Sequence, residues 1–236
     1  MKGAYLLQLG QVPYQEAWDL QRSLAGAVSQ GAIPDTVIFL EHPPVVTLGR
    51  RTDESAELHL PESAAVEIVE TDRGGKSTYH APGQLVCYPI LDLKRHGRDV
   101  KQYVRNLEEA LIRTTAAFEV PGERIDGLTG VWLTRPPRKI ASIGVHVSRW
   151  VTTHGYALNV DLDPAPFTEW ITACGLEDAT FTTIAREAGR PVSVDDVRPH
   201  AVAAFAEVFG LELEEIPAED GGGLWPQPRH VELAAR

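Results

Sequence analysis

Two residues with reactive side chains stand where packing alone does not call for them. Lys139 opens the apolar run Ile140-Ala141-Ser142-Ile143-Gly144, and Cys174 sits among small residues in Thr172-Ala173-Cys174-Gly175. An ammonium at the head of a strand either snorkels to solvent or points into a cleft where its charge is useful. A thiol before a glycine is either a small buried hydrophobe or a reachable nucleophile. The other cysteine, Cys87, lies inside Leu85-Val86-Cys87-Tyr88 and reads as buried. A third stretch runs Arg73-Gly74-Gly75-Lys76-Ser77-Thr78-Tyr79-His80-Ala81-Pro82-Gly83-Gln84. Paired glycines let a ligand approach the backbone, and the nearby N–H groups can hold a carbonyl or phosphate oxygen. Arg73 and Lys76 flank them with positive charge, and Pro82-Gly83 forces a turn. The plainer reading is a glycine-rich hairpin, with His80 as a structural hydrogen-bonding residue. Gly75-Lys76-Ser77 does not complete a P-loop, because no glycine stands at the opening position of GxxxxGK[ST].

Regular elements must carry these residues. Strands are expected over 5–9, 36–40, 45–48, 66–69, 85–90, 130–133, 140–147, 156–160 and 211–215. Residues 13–30 form a helix with Tyr14, Ala17, Trp18, Leu24, Ala25 and Val28 on one face, ended by Gly31. Residues 99–118 form the clearest helix, with Val100, Tyr103, Val104, Leu107, Leu111 and Thr114 at three- and four-residue spacing and Gly122 just past its end. Ser193 and Asp196 have capping-box spacing for a helix reaching Phe209. Strand clusters separated by helices predict an α+β chain, a mixed sheet with packed helices. One catalytic domain is expected over 1–220, with a Gly/Pro-rich tail over 221–236.

The 236 residues are 43% hydrophobic, ample for a core. No apolar run nears 18 residues and the N-terminus lacks a signal-peptide layout. Two cysteines are too few for a disulfide framework, so the cytoplasm is the expected setting. A formal charge of −11 argues against a general nucleic-acid binder. Local basic groups remain: Arg50 with Arg51, Arg73 with Lys76, and Arg135, Arg138, Lys139 and Arg149.

Taken together, these segments resemble the lipoyl(octanoyl) transferase family of lipoate biosynthesis. The matching pieces run in order from His42-Pro43-Pro44-Val45-Val46-Thr47-Leu48-Gly49-Arg50, through the Arg73–Gln84 stretch and Gly130-Val131-Trp132. Lys139-Ile140-Ala141-Ser142-Ile143-Gly144, His154-Gly155-Tyr156-Ala157-Leu158-Asn159-Val160 and Ala173-Cys174-Gly175 follow. The family usually has Gly where Ala81 stands and Pro where Ala173 stands. The resemblance implies the fold of biotin and lipoate protein ligase catalytic domains. It implies transfer of octanoyl from octanoyl-acyl carrier protein to a lysine of a lipoyl domain, with no cofactor, no metal, no nucleic acid and no membrane. The acceptors would be lipoyl domains of 2-oxoacid dehydrogenase complexes and the glycine cleavage H protein.

On that resemblance Cys174 would carry the acyl group as a thioester and Lys139 would stabilise the thiolate or shuttle protons. The substrate would contact Arg73, Gly74, Gly75, Lys76, Ser77, Thr78, Tyr79 and His80, then Ser142, Ile143 and Gly144, then Gly155, Tyr156 and Ala157. The arginines beside these segments are expected to rim the pocket mouth. Three rivals stand beside this reading. One is an ATP-dependent lipoate- or biotin-type ligase on the same fold. Another is a non-catalytic acyl-binding protein. The third is a Cys-His hydrolase in which His80 or His154 pairs with Cys174.

Overall fold

The computed structural model describes residues 2–217 apart from 62, 63, 65 and 173–179; of Ser55 and Ala56 it describes the backbone only. In chain order the elements are β1 (Lys2–Gln11), α1 (Tyr14–Gln30), β2 (Asp35–Glu41), β3 (Val45–Leu48), α2 (Glu54–Glu57), β4 (Glu67–Glu70), β5 (Thr78–His80) and β6 (Gln84–Ile90). Then come α3 (Val100–Ala116), β7 (Glu123–Ile125), β8 (Leu128–Thr134), β9 (Pro137–Ser148), β10 (Val151–Asn159), α4 (Pro166–Glu169), β11 (Thr180–Phe181), α5 (Ile184–Ala188), α6 (Val194–Phe209) and β12 (Leu211–Glu215). The tail expected over 221–236, and its boundary, lie outside the described residues. No helix among the described residues is long and apolar enough to cross a membrane.

The main sheet is mixed. Its strands run in the order β12-β1-β2-β6-β10-β9-β8-β7, with β11 added to β9. β1 is parallel to β12 and β2, and the pairs from β2 to β7 are antiparallel. Helices cover both faces. Because side chains alternate along a strand, Val37, Phe39, Leu85 and Cys87 pack against Leu107 and Leu111 of α3 and Val197 and Phe205 of α6. Ile38, Leu40, Val86 and Tyr88 pack against Ala17, Leu20, Leu24 and Val28 of α1. Burial on both faces explains why these strands read as continuous apolar runs. Cys87 is fully buried, and burial pushes its thiol well up.

The ends of the helices follow from their chemistry. Gly31 closes α1 at φ 72, its N–H reaching Ala27 and Val28 carbonyls. Asp99 caps α3 by accepting from the Gln102 N–H, and Ser193 with Asp196 completes the capping box of α6. Two details depart from the sequence pattern. On α1, Leu20 and Gln21 are buried while Trp18 and Ala25 are only half-buried, because the core contact is centred one position around the helix. Gly122 is no helix cap. A Cβ there would stand 2.6 Å from Val131 Cγ1 and 2.7 Å from Thr115 Oγ1, so it serves close packing of α3 on β8. A second, three-stranded sheet of order β4-β3-β5 sits over a separate core of Val46, Leu48, Tyr79, Phe167, Ile171 and Phe181.

Candidate active site

A cavity of about 400 Å³ opens where β8 leaves β9. The β8–β9 ladder runs only from Thr134↔Pro137 to Val131↔Ala141. Beyond it, four consecutive β9 residues, 142–145, line the cavity. Consecutive residues face opposite ways, so the cavity meets β9 along its vacated edge. Of the residues expected to hold substrate, Arg73, Gly74, Gly75, Lys76, Ser77, Thr78, His80, Ser142, Ile143, Gly144, Gly155, Tyr156 and Ala157 all border it, as does Lys139. Tyr79 does not. It alternates with Thr78 and His80 on β5 and turns into the second core, against Phe167 and Trp170. Cys174 lies outside the described residues.

Lys139 is 4% exposed. It pairs with Trp132 across β8–β9, and its Nζ stands 5.1 Å from that ring's centroid, a cation–π distance. Gly130 makes the room. At φ 116, a Cβ there would stand 2.9 Å from Lys139 Cε and 2.5 Å from the Ala141 carbonyl oxygen. The described residues on either side of Cys174 are anchored at two places. Upstream, the Thr172 N–H donates to the Glu57 carbonyl at 2.9 Å. Downstream, Phe181 pairs with Lys139 itself, and the Thr182 N–H donates to the Lys139 carbonyl at 3.0 Å.

The glycine-rich loop is held from several sides. Arg73 is buried, donating to the Thr47 carbonyl at 2.7 Å and the Lys76 carbonyl at 2.7 Å. The Gly74 N–H, expected among the donors to substrate, is already given to the Val145 carbonyl at 2.9 Å. Glu57 is 2% exposed. It accepts from Lys76 Nζ at 2.8 Å and from the Ser77 hydroxyl at 2.9 Å. Burial pushes its carboxyl up, but the hydrogen bonds from Lys76, Ser77 and the Asp53 N–H outweigh that and hold it below the usual range. One residue thus grips the loop with its side chain and the segment that precedes Cys174 with its backbone.

The opposite wall is built of imidazoles and phenols. His42 Nδ1 lies 2.6 Å from the Val12 carbonyl, which only accepts, so His42 Nε2 takes the Tyr88 hydroxyl at 2.7 Å. His80 Nδ1 donates to Gln84 Oε1 at 2.6 Å. His154 Nε2 donates to Asp72 at 2.7 Å, with the Tyr14 hydroxyl 3.4 Å from Nδ1. By strand alternation His154 should share the α3 side with Tyr156. Instead its φ of 57 swings the ring among Tyr14, Trp18 and Tyr88 on the α1 side. Burial keeps all three imidazoles neutral: it takes His42 down to about 4, His80 well below the ordinary value, and His154 down against the pull of Asp72.

Residues 13–206 match the lipoyl protein ligase A/B catalytic domain family. The chain is 49% identical over 208 residues to an octanoyltransferase of Chloroflexus aurantiacus, covering 86% of this chain and 93% of that one. It is 52% identical over 199 residues to an octanoyltransferase of Mycobacterium tuberculosis, covering 84% and 83%. The chain belongs to the octanoyltransferase family. Among solved structures, a bipartite lipoate protein ligase of Thermoplasma acidophilum matches with a TM-score of 0.73 at 17% identity, over 92% of this chain and 88% of that one. A biotin protein ligase of Aquifex aeolicus matches with a TM-score of 0.50 at 12% identity, over 89% and 70%. At such identities the likeness is one of fold, and it is the ligase-like α+β fold expected from the sequence. Within that octanoyltransferase frame, sequence reasoning passed over Glu57, Asp72 and the role of Tyr14. Asp72 adjoins Arg73 and was within reach. Glu57 sits in a polar segment with no periodicity to mark it, and Tyr14 fits a core helix face equally well.

Proposed function

We propose that this octanoyltransferase moves octanoyl from the thioester of acyl carrier protein to a lysine of a lipoyl domain, through a thioester on Cys174, opening endogenous lipoate biosynthesis. The observation that carries the reading is the buried Lys139 ammonium in a cavity that the Arg73–His80 stretch encloses. The anchoring of the described segment downstream of Cys174 on Lys139 supports it. A free thiol is only a few per cent thiolate at neutral pH, and a neighbouring cation raises that fraction.

Two displacements account for the transfer. The Cys174 thiolate attacks the donor carbonyl, the carrier's C–S bond breaks, and the carrier leaves as a thiolate that takes up a proton. The acceptor amine then attacks the enzyme thioester, an amide C–N bond forms, the Cys174 C–S bond breaks, and the amine's proton is lost. In this reading Lys139 stabilises each thiolate or passes these protons between groups. Exchange between thioesters is nearly isoenergetic and amide formation is downhill, so the cycle needs no ATP. The acyl chain binds by burying methylenes at about 0.8 kcal/mol each, about 5 kcal/mol for the six methylenes of an octanoyl group. The acceptors are lipoyl domains of 2-oxoacid dehydrogenase complexes and the glycine cleavage H protein, and the cytoplasm is where the reaction runs.

The rival ATP-dependent ligase is less supported. Relatives at about half identity are octanoyltransferases, whereas the ligases share only the fold. Purified protein given octanoyl-acyl carrier protein and a lipoyl domain without nucleotide should yield octanoylated domain by mass. A strict requirement for ATP would overturn the reading.

A further inference from the structure

The hairpin joining β9 to β10 is built against its own backbone preference. Ser148 pairs with Val151, so Arg149 and Trp150 form a two-residue turn with φ values of 49 and 73. Positive φ at both positions is the I′ pattern, which favours Asn-Gly because other side chains clash there. Here the turn carries an arginine and an exposed tryptophan, 38% accessible. Strain of this kind persists where the displayed side chains are needed.

What surrounds the turn suggests for what. The Trp150 carbonyl accepts from the Leu93 N–H at 2.7 Å, and the Leu93 carbonyl from the Arg98 N–H at 2.8 Å, which places Lys94, Arg98 and the start of α3 beside it. Val100 there is also 38% accessible, so two of the three large exposed hydrophobics among the described residues fall in this patch. Lys94, Arg98, Lys101 and Arg149 are exposed. None of the four makes an ion pair among the described residues, while the nearby carboxylates are occupied: Asp35 with Arg95 and His96, Asp92 with Arg95 and the Lys94 N–H, Asp99 with the Gln102 N–H. This concentration of positive charge stands out on a chain of net charge −11. The patch also runs to the cavity, since Val104, one turn beyond Val100 on α3, lines it.

We infer that Trp150, Arg149, Lys94, Arg98 and Val100 dock the acidic carrier protein that brings the acyl thioester. The inference rests on the octanoyl-transfer reading. A central aromatic ringed by cations is how acidic surfaces are engaged tightly. The donor is favoured over the lysine acceptor by reach. Four residue steps separate Val145, the last β9 residue at the cavity, from Arg149 in the turn, roughly 13 Å of strand. A thioester on a long prosthetic arm spans that distance, and a lysine's four-carbon stem does not. Arg138, expected at the pocket mouth, takes no part: Glu187 holds its guanidinium in a two-point pair at 2.9 and 2.8 Å.

The test replaces the strained turn by the pair its geometry favours, Arg149→Asn with Trp150→Gly. The melting temperature should rise by a few degrees. KM for octanoyl-acyl carrier protein should rise about tenfold or more, while turnover of the octanoyl thioester of N-acetylcysteamine stays unchanged. Titration of acyl carrier protein onto the wild type and the variant, at 50 and 200 mM salt, reads the surface without catalysis: only the wild type should bind tightly and salt-dependently. If the double variant melts lower than the wild type, Lys94→Glu with Arg98→Glu carries the same comparison. Unchanged carrier affinity, equal losses on both donors, or a rise confined to KM for the lipoyl domain would overturn the inference. Failure of the wild type to transfer octanoyl at all would refute the transfer reading, and the titration would still decide the patch.

Discussion

The two walls of the cavity handle charge in opposite ways. On the α1 side, His80 and His154 line the cavity with His42 packed behind His80; all three are polar but neutral, and each has a ring N–H fixed on an oxygen that only accepts. On the β8–β9 side stands Lys139, buried against Trp132 in space that Gly130 vacates. The difference separates scaffold from chemistry. Protons on the imidazole wall are committed to holding α1, β5 and the Asp72 end of the loop together. In the proposed reaction, positive charge for a thiolate or a tetrahedral oxyanion would come from the lysine wall and the loop. That division disfavours His154 as the base of a Cys-His hydrolase, because His154 is engaged at both nitrogens.

If the division holds, the largest effect belongs to Lys139. Lys139→Ala should lower octanoyl transfer by about 10²–10⁴ and move the pH midpoint of Cys174 alkylation upward. Lys139→Arg keeps the charge but not the proton-passing ability, so it should preserve alkylation better than turnover. An unchanged alkylation profile in the alanine variant would remove the thiolate-stabilising role and blur the two walls into one.

The imidazole wall should show itself in stability. His42 titrates near 4 in the folded protein because burial penalises its cation, against about 6.5 unfolded. The unfolded chain therefore binds more protons as pH falls, and folding stability declines from about pH 6.5 down to about 4. His42 alone accounts for on the order of 3 kcal/mol across that window, and His80 and His154 act in the same direction. Urea unfolding at pH 7.5 and pH 5 measures this. Equal stability at the two pH values would mean that the imidazoles are not buried neutral.

The smallest effect sharpens the link between loop and nucleophile. Glu57→Gln keeps the size of the side chain and its backbone bond to Thr172 but loses the charge that pairs Lys76. Turnover should fall roughly tenfold with little change in thermal stability. Wild-type turnover in this variant would show that the loop holds its shape without Glu57.

Much of this was legible from residue types and order. The apolar runs marked the sheet, capping residues marked the helix starts, and the pocket-lining segments stood out as glycine-rich or oddly charged. What escaped was what only assembly decides. Strand alternation turns Tyr79 away from the cavity although both its neighbours face in. The vacated edge of β9 depends on where β8 diverges. Glu57 acquires its role by meeting residues 20 and 115 positions away. The reversed His154 ring needs a positive φ that no local sequence signal demands.

The central claim is that Cys174 carries the acyl group, and intact mass measures it directly. Wild-type protein mixed with octanoyl-acyl carrier protein, without ATP, should gain the mass of one octanoyl group and lose it again when a lipoyl domain is added. Cys87→Ser should behave alike, since Cys87 is sealed in the core, and Cys174→Ser should gain nothing and transfer nothing. Full transfer by Cys174→Ser would contradict the covalent mechanism.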